Sequence, residues 1–391
     1  MKITGDWINS PQTQSVCQML INAGYQAYFV GGCVRNELLG MPVNDLDICT
    51  DAHPQTVMDL AKSAGLGAIP TGIDHGTVTV VSQGIAHEIT TFRKDVATDG
   101  RHATVEFSDT ITDDAQRRDF TMNALYADAN GNVTDPVNGL PDLKRRHFRF
   151  IGDAADRIRE DYLRILRFFR FTATYGDPAL GFDHETLAAI ADHVDGLDGL
   201  SRERIGAEVM KLLAAPDPAP AIATMRQTGV LSRILPAADD RYLAPLIHLE
   251  QRDQLAPMAI RRLAILSADA AQARTALRLS NAQYNALQIC RDEMGTLRAA
   301  HALAYDYGAS LARDILYLRA ALFETQPMPQ DIADIELAKD AVFPVMAADL
   351  MPDFQGPDLG RRLRQLTHDW VASKFTLTRD ELCAKGPEHD D

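Results

Sequence analysis

The sequence predicts an α/β (more strictly α+β) N-terminal head with a mixed sheet, followed by an all-α neck, body and tail. Three observations predict it. Short β-branched segments bounded by glycine alternate with helical stretches up to about residue 140. From about residue 153 onward the strand signals stop, and apolar residues recur at helical spacing. The run Ala215-Pro216-Asp217-Pro218-Ala219-Pro220 then breaks one helix from the next. Residues 1–150 are accordingly expected to form the head, 151–213 a helical neck, and 214–391 a helical body and tail whose last residues are disordered.

Taken in order, residues 11–23 read as a helix, 26–31 as a strand and 33–39 as a short helix. Residues 45–50 read as a strand and 54–64 as a helix opened by Pro54. The β-branched runs 76–81 and 86–92 read as two more strands, set between Gly72, Gly76 and Gly84. Residues 93–105, with Asp99-Gly100-Arg101-His102, offer little to bury and read as a mobile loop.

Composition narrows the function classes. At 391 residues the chain can bury more than one core, and 46% apolar residues is ordinary for a globular protein. No run approaches the ~18 apolar residues of a membrane helix, and the start lacks a signal-peptide core. The five cysteines are scattered and form no C-x-x-C, which disfavours structural zinc and points to a reducing cytoplasm. The net charge of −15 disfavours wholesale nucleic-acid binding. Its distribution says more. Residues 1–143 hold 8 Lys+Arg against 18 Asp+Glu, whereas residues 144–170 hold 9 basic against 4 acidic residues. A polyanion is expected to be held at that short basic segment.

The most informative motif is Gly31-Gly32-Cys33-Val34-Arg35 followed by Asp45-Leu46-Asp47. In an extended strand, Asp45 and Asp47 point to one face. Side by side they repel unless a cation lies between them. Mg²⁺ takes one or two carboxylates together with substrate phosphates. The glycines allow backbone N–H groups to approach a phosphate. Either feature alone is common, Asp-x-Asp on strand edges and Gly-Gly in turns. Their order, with a strand on each side, points to phosphoryl transfer from a nucleoside triphosphate.

A second constellation lies in 156–171, which reads as one amphipathic helix with Ile158, Tyr162, Ile165 and Phe169 facing a core. Asp161 and Arg164 are then neighbours at i, i+3. Taken alone, such charges read first as a salt-bridged solvated face, which is their usual fate. The alternative is base recognition. A carboxylate accepts and a guanidinium donates, so the pair complements the amino donor and ring-nitrogen acceptor of cytosine and adenine. Uracil and guanine present the reverse order.

With both constellations in view, the chain resembles the class II CCA-adding tRNA nucleotidyltransferases and the related bacterial poly(A) polymerases. The likeness runs from about residue 25 to 236. Besides the two motifs above it includes Arg117-Arg118-Asp119-Phe120-Thr121-Met122-Asn123-Ala124-Leu125, Asp135-Pro136-Val137-Asn138-Gly139, and Arg202-Glu203-Arg204-Ile205-Gly206 continuing to Glu208. It implies a polymerase-β-like catalytic palm in the head. It also implies that Asp45 and Asp47 hold metal, two Mg²⁺ ions or Mn²⁺, with Glu88 a third catalytic carboxylate. Gly31, Gly32, Arg35, Arg118, Asp119 and Asn123 would hold the triphosphate and sugar, a helix placing Asp119 and Asn123 on one face.

The same likeness makes Asp161 and Arg164 base-selecting, Arg167 and Arg170 phosphate or RNA contacts, and Arg204 and Glu208 their support. The implied reaction adds C, C and A from CTP and ATP to the 3′ end of tRNA and releases pyrophosphate. Asp99 and Arg101, an acceptor and a donor in the 93–105 loop, would couple primer position to the change from C to A. Poly(A) synthesis, CC-only or A-only addition, and a non-catalytic RNA-binding relative are the alternatives. The sequence departs from the family at Asn36, where Asp is usual, and at Ala154 and Tyr162, where Pro is frequent. Asn36 puts a local ion pair in question. The role of the last ~150 residues in gripping tRNA rests on analogy alone.

Overall fold

The computed structural model describes residues 1–98 and 103–385. The chain divides into two compact units, one of residues 1–208 with 220–233, the other of 209–219 with 234–391.

Among the described residues, the first unit is built on nine strands: β1 (Tyr28–Val30), β2 (Asp47–Thr50), β3 (Gly67–Gly72), β4 (Thr77–Ser82), β5 (Ile85–Thr91), β6 (Arg93–Thr98), β7 (Ala103–Phe107), β8 (Tyr126–Asp128) and β9 (Val133–Thr134). Seven form one sheet in the order β3-β4-β5-β2-β1-β8-β9. Only β2 and β5 run parallel, so the sheet is mixed as expected. The sidedness follows from the period of two. In β4, Val78, Val80 and Ser82 are buried and alternate with half-exposed neighbours, and β5 buries His87, Ile89 and Thr91 in the same way. The helices Pro11–Asn22 and Pro54–Ser63 cover this face with Val16, Leu20, Val57 and Ala61. Ser10 caps the first of them by accepting the Thr13 N–H at 3.2 Å.

Residues 93–105 were expected to be a loop. The described part is instead an antiparallel ribbon of β6 and β7. Lys94 and Glu106 pair across it at 3.1 Å, and the Phe107 ring meets His53 edge-on. Backbone pairing and one anchored aromatic ring order a segment whose composition offered little to bury. Asp99 and Arg101 lie outside the described residues, as does the tail expected to be disordered beyond Lys385.

The 156–171 segment is not one helix. It is Ala154–Glu160 and Leu163–Tyr175, with Asp161 extended between them (φ −153°, ψ 105°). The Asp161 side chain accepts the Leu163 N–H at 3.0 Å, offering the backbone an alternative to the helical bond. Tyr162 follows, its ring filling the space above Gly196, where an added Cβ would fall 2.0 Å from it.

The second unit is helical throughout its described residues, from Leu243–Arg252 to Arg379–Ala384. Buried charges organise part of it. Arg261 and Arg262 both donate to Glu250 at 2.7–2.9 Å, and Arg261 also reaches Asp314 at 2.6 Å. A separate apolar cluster joins Val345, Leu350, Leu366, Trp370 and Leu382.

Candidate active site

The site forms where β1 ends and β2 begins. The antiparallel register Tyr28↔Cys49 and Phe29↔Ile48 brings the end of β1 alongside Asp47. Gly31 follows β1 with φ +72°, a conformation that favours glycine, and it initiates the helix Gly32–Leu38. A Cβ there would touch the Arg118 guanidinium at 3.5 Å. The Cys33 thiol, in the first turn of that helix, donates to the Asp47 carbonyl at 3.8 Å.

Asp47 and Glu88 are cross-strand partners in the parallel pair β2–β5. Asp45 stands two residues before β2 rather than within it. Burial pushes the Asp47 carboxyl up to about 6; Glu88 and Asp45 add repulsion, and Arg118 opposes them. Among the described residues no three His, Cys, Asp or Glu side chains enclose a metal by themselves. The donor set is nonetheless the kind a hard divalent ion takes: carboxylate oxygens whose mutual repulsion a cation relieves, with the remaining ligands supplied by substrate phosphates.

Arg118 is held by groups that sequence reasoning missed. The wholly buried Asp114 accepts from Arg118 at 2.9 and 3.1 Å, from Arg117 at 2.7 and 2.9 Å, and from the Tyr126 hydroxyl at 2.8 Å. Burial disfavours its charge, yet the two guanidinium groups hold its carboxyl at about 2. The signal for Asp114 was its spacing of three and four residues from the two arginines. Tyr126 had none, since β8 brings it there.

The segment expected to be helical around Asp119 and Asn123 is a 3₁₀ turn, Thr121–Asn123. The contact expected of it forms all the same: Asn123 Nδ2 donates to Asp119 at 3.0 Å. Asp119 also accepts two bonds from Arg167, at 2.6 and 2.7 Å. Burial works against its ionisation, and the Arg167 charge more than offsets this, so its carboxyl lies below the usual range. Arg35, only 4% exposed, donates to Asn123 Oδ1 and to Asn36 Oδ1. Asn36 therefore gives Arg35 a neutral partner.

Asp161 and Arg164 lie beside each other, the Arg164 N–H donating to the Asp161 carbonyl at 3.0 Å, but their side chains take other partners. Arg204 donates to Asp161 at 2.7 Å. Arg164 pairs with Glu160, which also binds Arg157 at 2.5–2.7 Å. Arg164 also donates to the Arg157 carbonyl at 2.9 Å and to the Arg117 carbonyl at 3.2 Å, the latter joining this segment to the Arg118 network. Arg170 pairs with Glu208 at 2.5 Å. Arg167 and Arg170, expected to contact phosphate, are thus each engaged by a carboxylate of the protein itself.

The arrangement offers a glycine turn, paired carboxylates, anchored guanidinium groups and an acceptor–donor pair in one unit. Comparison with known proteins shows what the chain is similar to. Residues 27–149 match the family "Poly A polymerase head domain", and residues 180–241 match "Probable RNA and SrmB- binding site of polymerase A". Over 226 residues the chain is 41% identical to mouse mitochondrial CCA tRNA nucleotidyltransferase 1, covering 57% of this chain and 52% of that protein. Over 198 residues it is 46% identical to the CCA-adding enzyme of Streptococcus pyogenes, covering 50% and 47%. The chain spans about half the length of these curated relatives. The fold likeness reaches further. The crystal structure of the Bacillus stearothermophilus CCA-adding enzyme in complex with CTP superposes with a TM-score of 0.78 at 28% identity, covering 93% of this chain and 94% of that one. Among the described residues, no helix is long and apolar enough to cross a membrane.

Proposed function

We propose that this chain is a class II CCA-adding enzyme that adds C, C and A to the 3′ end of tRNA from CTP and ATP, a reading that its match to the poly(A) polymerase head domain supports. The observation that carries the reading is the carboxylate pair Asp47 and Glu88 in cross-strand register beside the Gly31–Gly32 turn. Asp45 and Asp47 would hold the divalent metal, two Mg²⁺ ions or Mn²⁺, with Glu88 beside them. When bound, such ions supply charge neutralisation and Lewis acidity for attack of the RNA 3′-hydroxyl on the α-phosphate.

The protein's own contribution is positional and electrostatic. The backbone at Gly31 and Gly32 would admit the triphosphate closely. Arg35 and Arg118, with Asn123 and Asp119, would orient its phosphates and sugar. Asp161, steadied by Arg204, would accept from the amino group of cytosine or adenine, and Arg164 would donate to the neighbouring ring nitrogen. Against uracil or guanine both groups meet like partners, at a cost of about 1–3 kcal/mol for each unsatisfied group. Arg167 and Arg170 stand behind this pair in the basic segment and would draw in the RNA 3′ end. The five free thiols fit a reducing, cytoplasmic setting.

The test uses tRNA lacking its 3′ end and labelled triphosphates, given singly and together, with product length read on a gel. CTP with ATP should extend the primer by three nucleotides, and CTP alone by two. A long ladder from ATP alone would mean a poly(A) polymerase instead.

A further inference from the structure

We propose that Tyr175 is a positioning residue for triphosphate recognition, its ring holding the Arg35 guanidinium in place beside the Gly31–Gly32 turn. The inference rests on the reading of Arg35 as a triphosphate contact.

Tyr175 closes the helix Leu163–Tyr175, about 140 positions along the chain from Arg35. Its ring centroid lies 4.0 Å from the Arg35 guanidinium carbon, and the Phe171 centroid lies 5.2 Å from it. Tyr175 and Phe171 stack at 6.0 Å, and both rings lie within 6.2 Å of Phe148. The platform is therefore fixed on its far side by the aromatic core of the unit.

Three guanidinium groups use this platform. Arg167 and Arg170 lie 5.0 and 4.0 Å from the Phe171 centroid, and each is paired with a carboxylate, Asp119 and Glu208 respectively. Arg35 differs. It is almost wholly buried, and the side chains it donates to are the neutral amides of Asn36 and Asn123. Burial lowers its proton affinity and the nearby Arg170 charge adds to that, while Tyr175, including its hydroxyl, and the Asp119 charge act the other way. A buried cation whose amide partners are neutral, and whose neighbour Asp119 is already paired with Arg167, is poorly compensated by them. The electron-rich faces of Tyr175 and Phe171 supply the missing attraction without neutralising the charge. An Arg–carboxylate pair would have spent that charge within the protein; a π face leaves it for an incoming polyphosphate. Three of the five guanidinium N–H groups are committed to the two amides, which leaves donors for phosphate oxygens.

The experiment measures direct binding of CTP and ATP to the full chain with Mg²⁺, and steady-state addition to tRNA, for Tyr175→Leu, Tyr175→Met and Tyr175→Phe. The two ring-free variants should raise Kd and KM between about two- and thirtyfold for CTP and ATP alike, with kcat within about twofold. Tyr175→Phe keeps the ring and loses only the hydroxyl, so it should lie closer to wild type than either ring-free variant. Discrimination against UTP and GTP should not move, because Tyr175 acts on the triphosphate end. Wild-type affinity in either folded ring-free variant, or a loss confined to kcat, overturns the proposal. Wild-type protein that binds triphosphate but extends no tRNA would sink the CCA reading and leave this one standing. Wild-type protein that binds no triphosphate would sink both.

Discussion

Asp47 and Glu88 sit directly across from each other on the parallel strand pair β2–β5 of the head sheet, with Asp47 half-buried and its carboxyl pushed up to about 6. Two carboxylates in that register repel, and the sheet fixes them there. Replacing Asp47 by Asn keeps the shape and removes the charge. Incorporation into tRNA should fall by more than the roughly 10–100-fold typical of losing an outer-shell metal partner. tRNA affinity should be retained, as a gel-shift titration would reveal; a variant that still extends tRNA at the wild-type rate would refute the metal assignment.

The same carboxyl gives a pH signature in metal-free protein. Its pKa is higher folded than its ordinary 3.8, so folding takes up protons between 3.8 and about 6. Its contribution to stability should therefore fall by about 1–3 kcal/mol as pH rises through that window, then stay level. Mg²⁺ should offset part of that loss at pH 7 by binding the ionised form. Denaturant unfolding across pH 4–7, with Asp47→Asn as the reference, checks this; the variant should lack the slope.

Asp114 behaves oppositely. Its carboxyl is held at about 2, so its contribution is complete above the ordinary carboxylate range and is lost as pH falls toward 2. Asp114→Ala would strand Arg117 and Arg118 and free the buried Tyr126 hydroxyl. The expected loss is about 3–5 kcal/mol of unfolding free energy. Adding Arg118→Ala should cost much less than the sum of the single changes, since the pair fails as one network.

Base choice should depend on Asp161 through Arg204. Asp161→Ala should raise misincorporation of UMP and GMP relative to CMP and AMP by roughly ten- to a hundredfold. Arg204→Ala leaves the carboxylate in place but removes its 2.7 Å anchor, so the same ratio should move by less. Competition assays with mixed triphosphates provide the measurement. Equal ratios in all three proteins would remove Asp161 from base selection.

Gly196 tests the seat of the same loop. A methyl group there would fall 2.0 Å from the Tyr162 ring and force Tyr162 to move. Gly196→Ala should destabilise by about 1–3 kcal/mol and should loosen fidelity as well, because Asp161 precedes Tyr162 directly. A thermal melt beside the misincorporation assay separates the two effects.

Much of this was legible in the chain. Gly31-Gly32 and Asp45-Leu46-Asp47 marked the turn and carboxylates, because glycine freedom and repeated charge are local properties. The alternation in 77–82 marked a strand because its period of two reports one buried face. Other features were not legible. The periodicity of Ile158, Tyr162, Ile165 and Phe169 continued through a break, since apolar spacing does not register that Asp161 binds its own backbone. The 93–98 and 103–107 segments looked loop-like because ribbon pairing is a relation between strands and not a composition.

By itself, the sequence determined the fold class, the order of the motifs and the residue types proposed for phosphate, metal and base. Those follow from short-range periodicity and side-chain chemistry. Only the tertiary structure decided which partner each guanidinium takes: Arg167 takes Asp119, Arg204 takes Asp161, Arg170 takes Glu208, and Arg35 takes the ring of Tyr175. These partners stand 38 to about 140 residues apart. An arginine can satisfy several acceptors equally well, so its choice is set by which backbone elements pack together, and no local pattern encodes that.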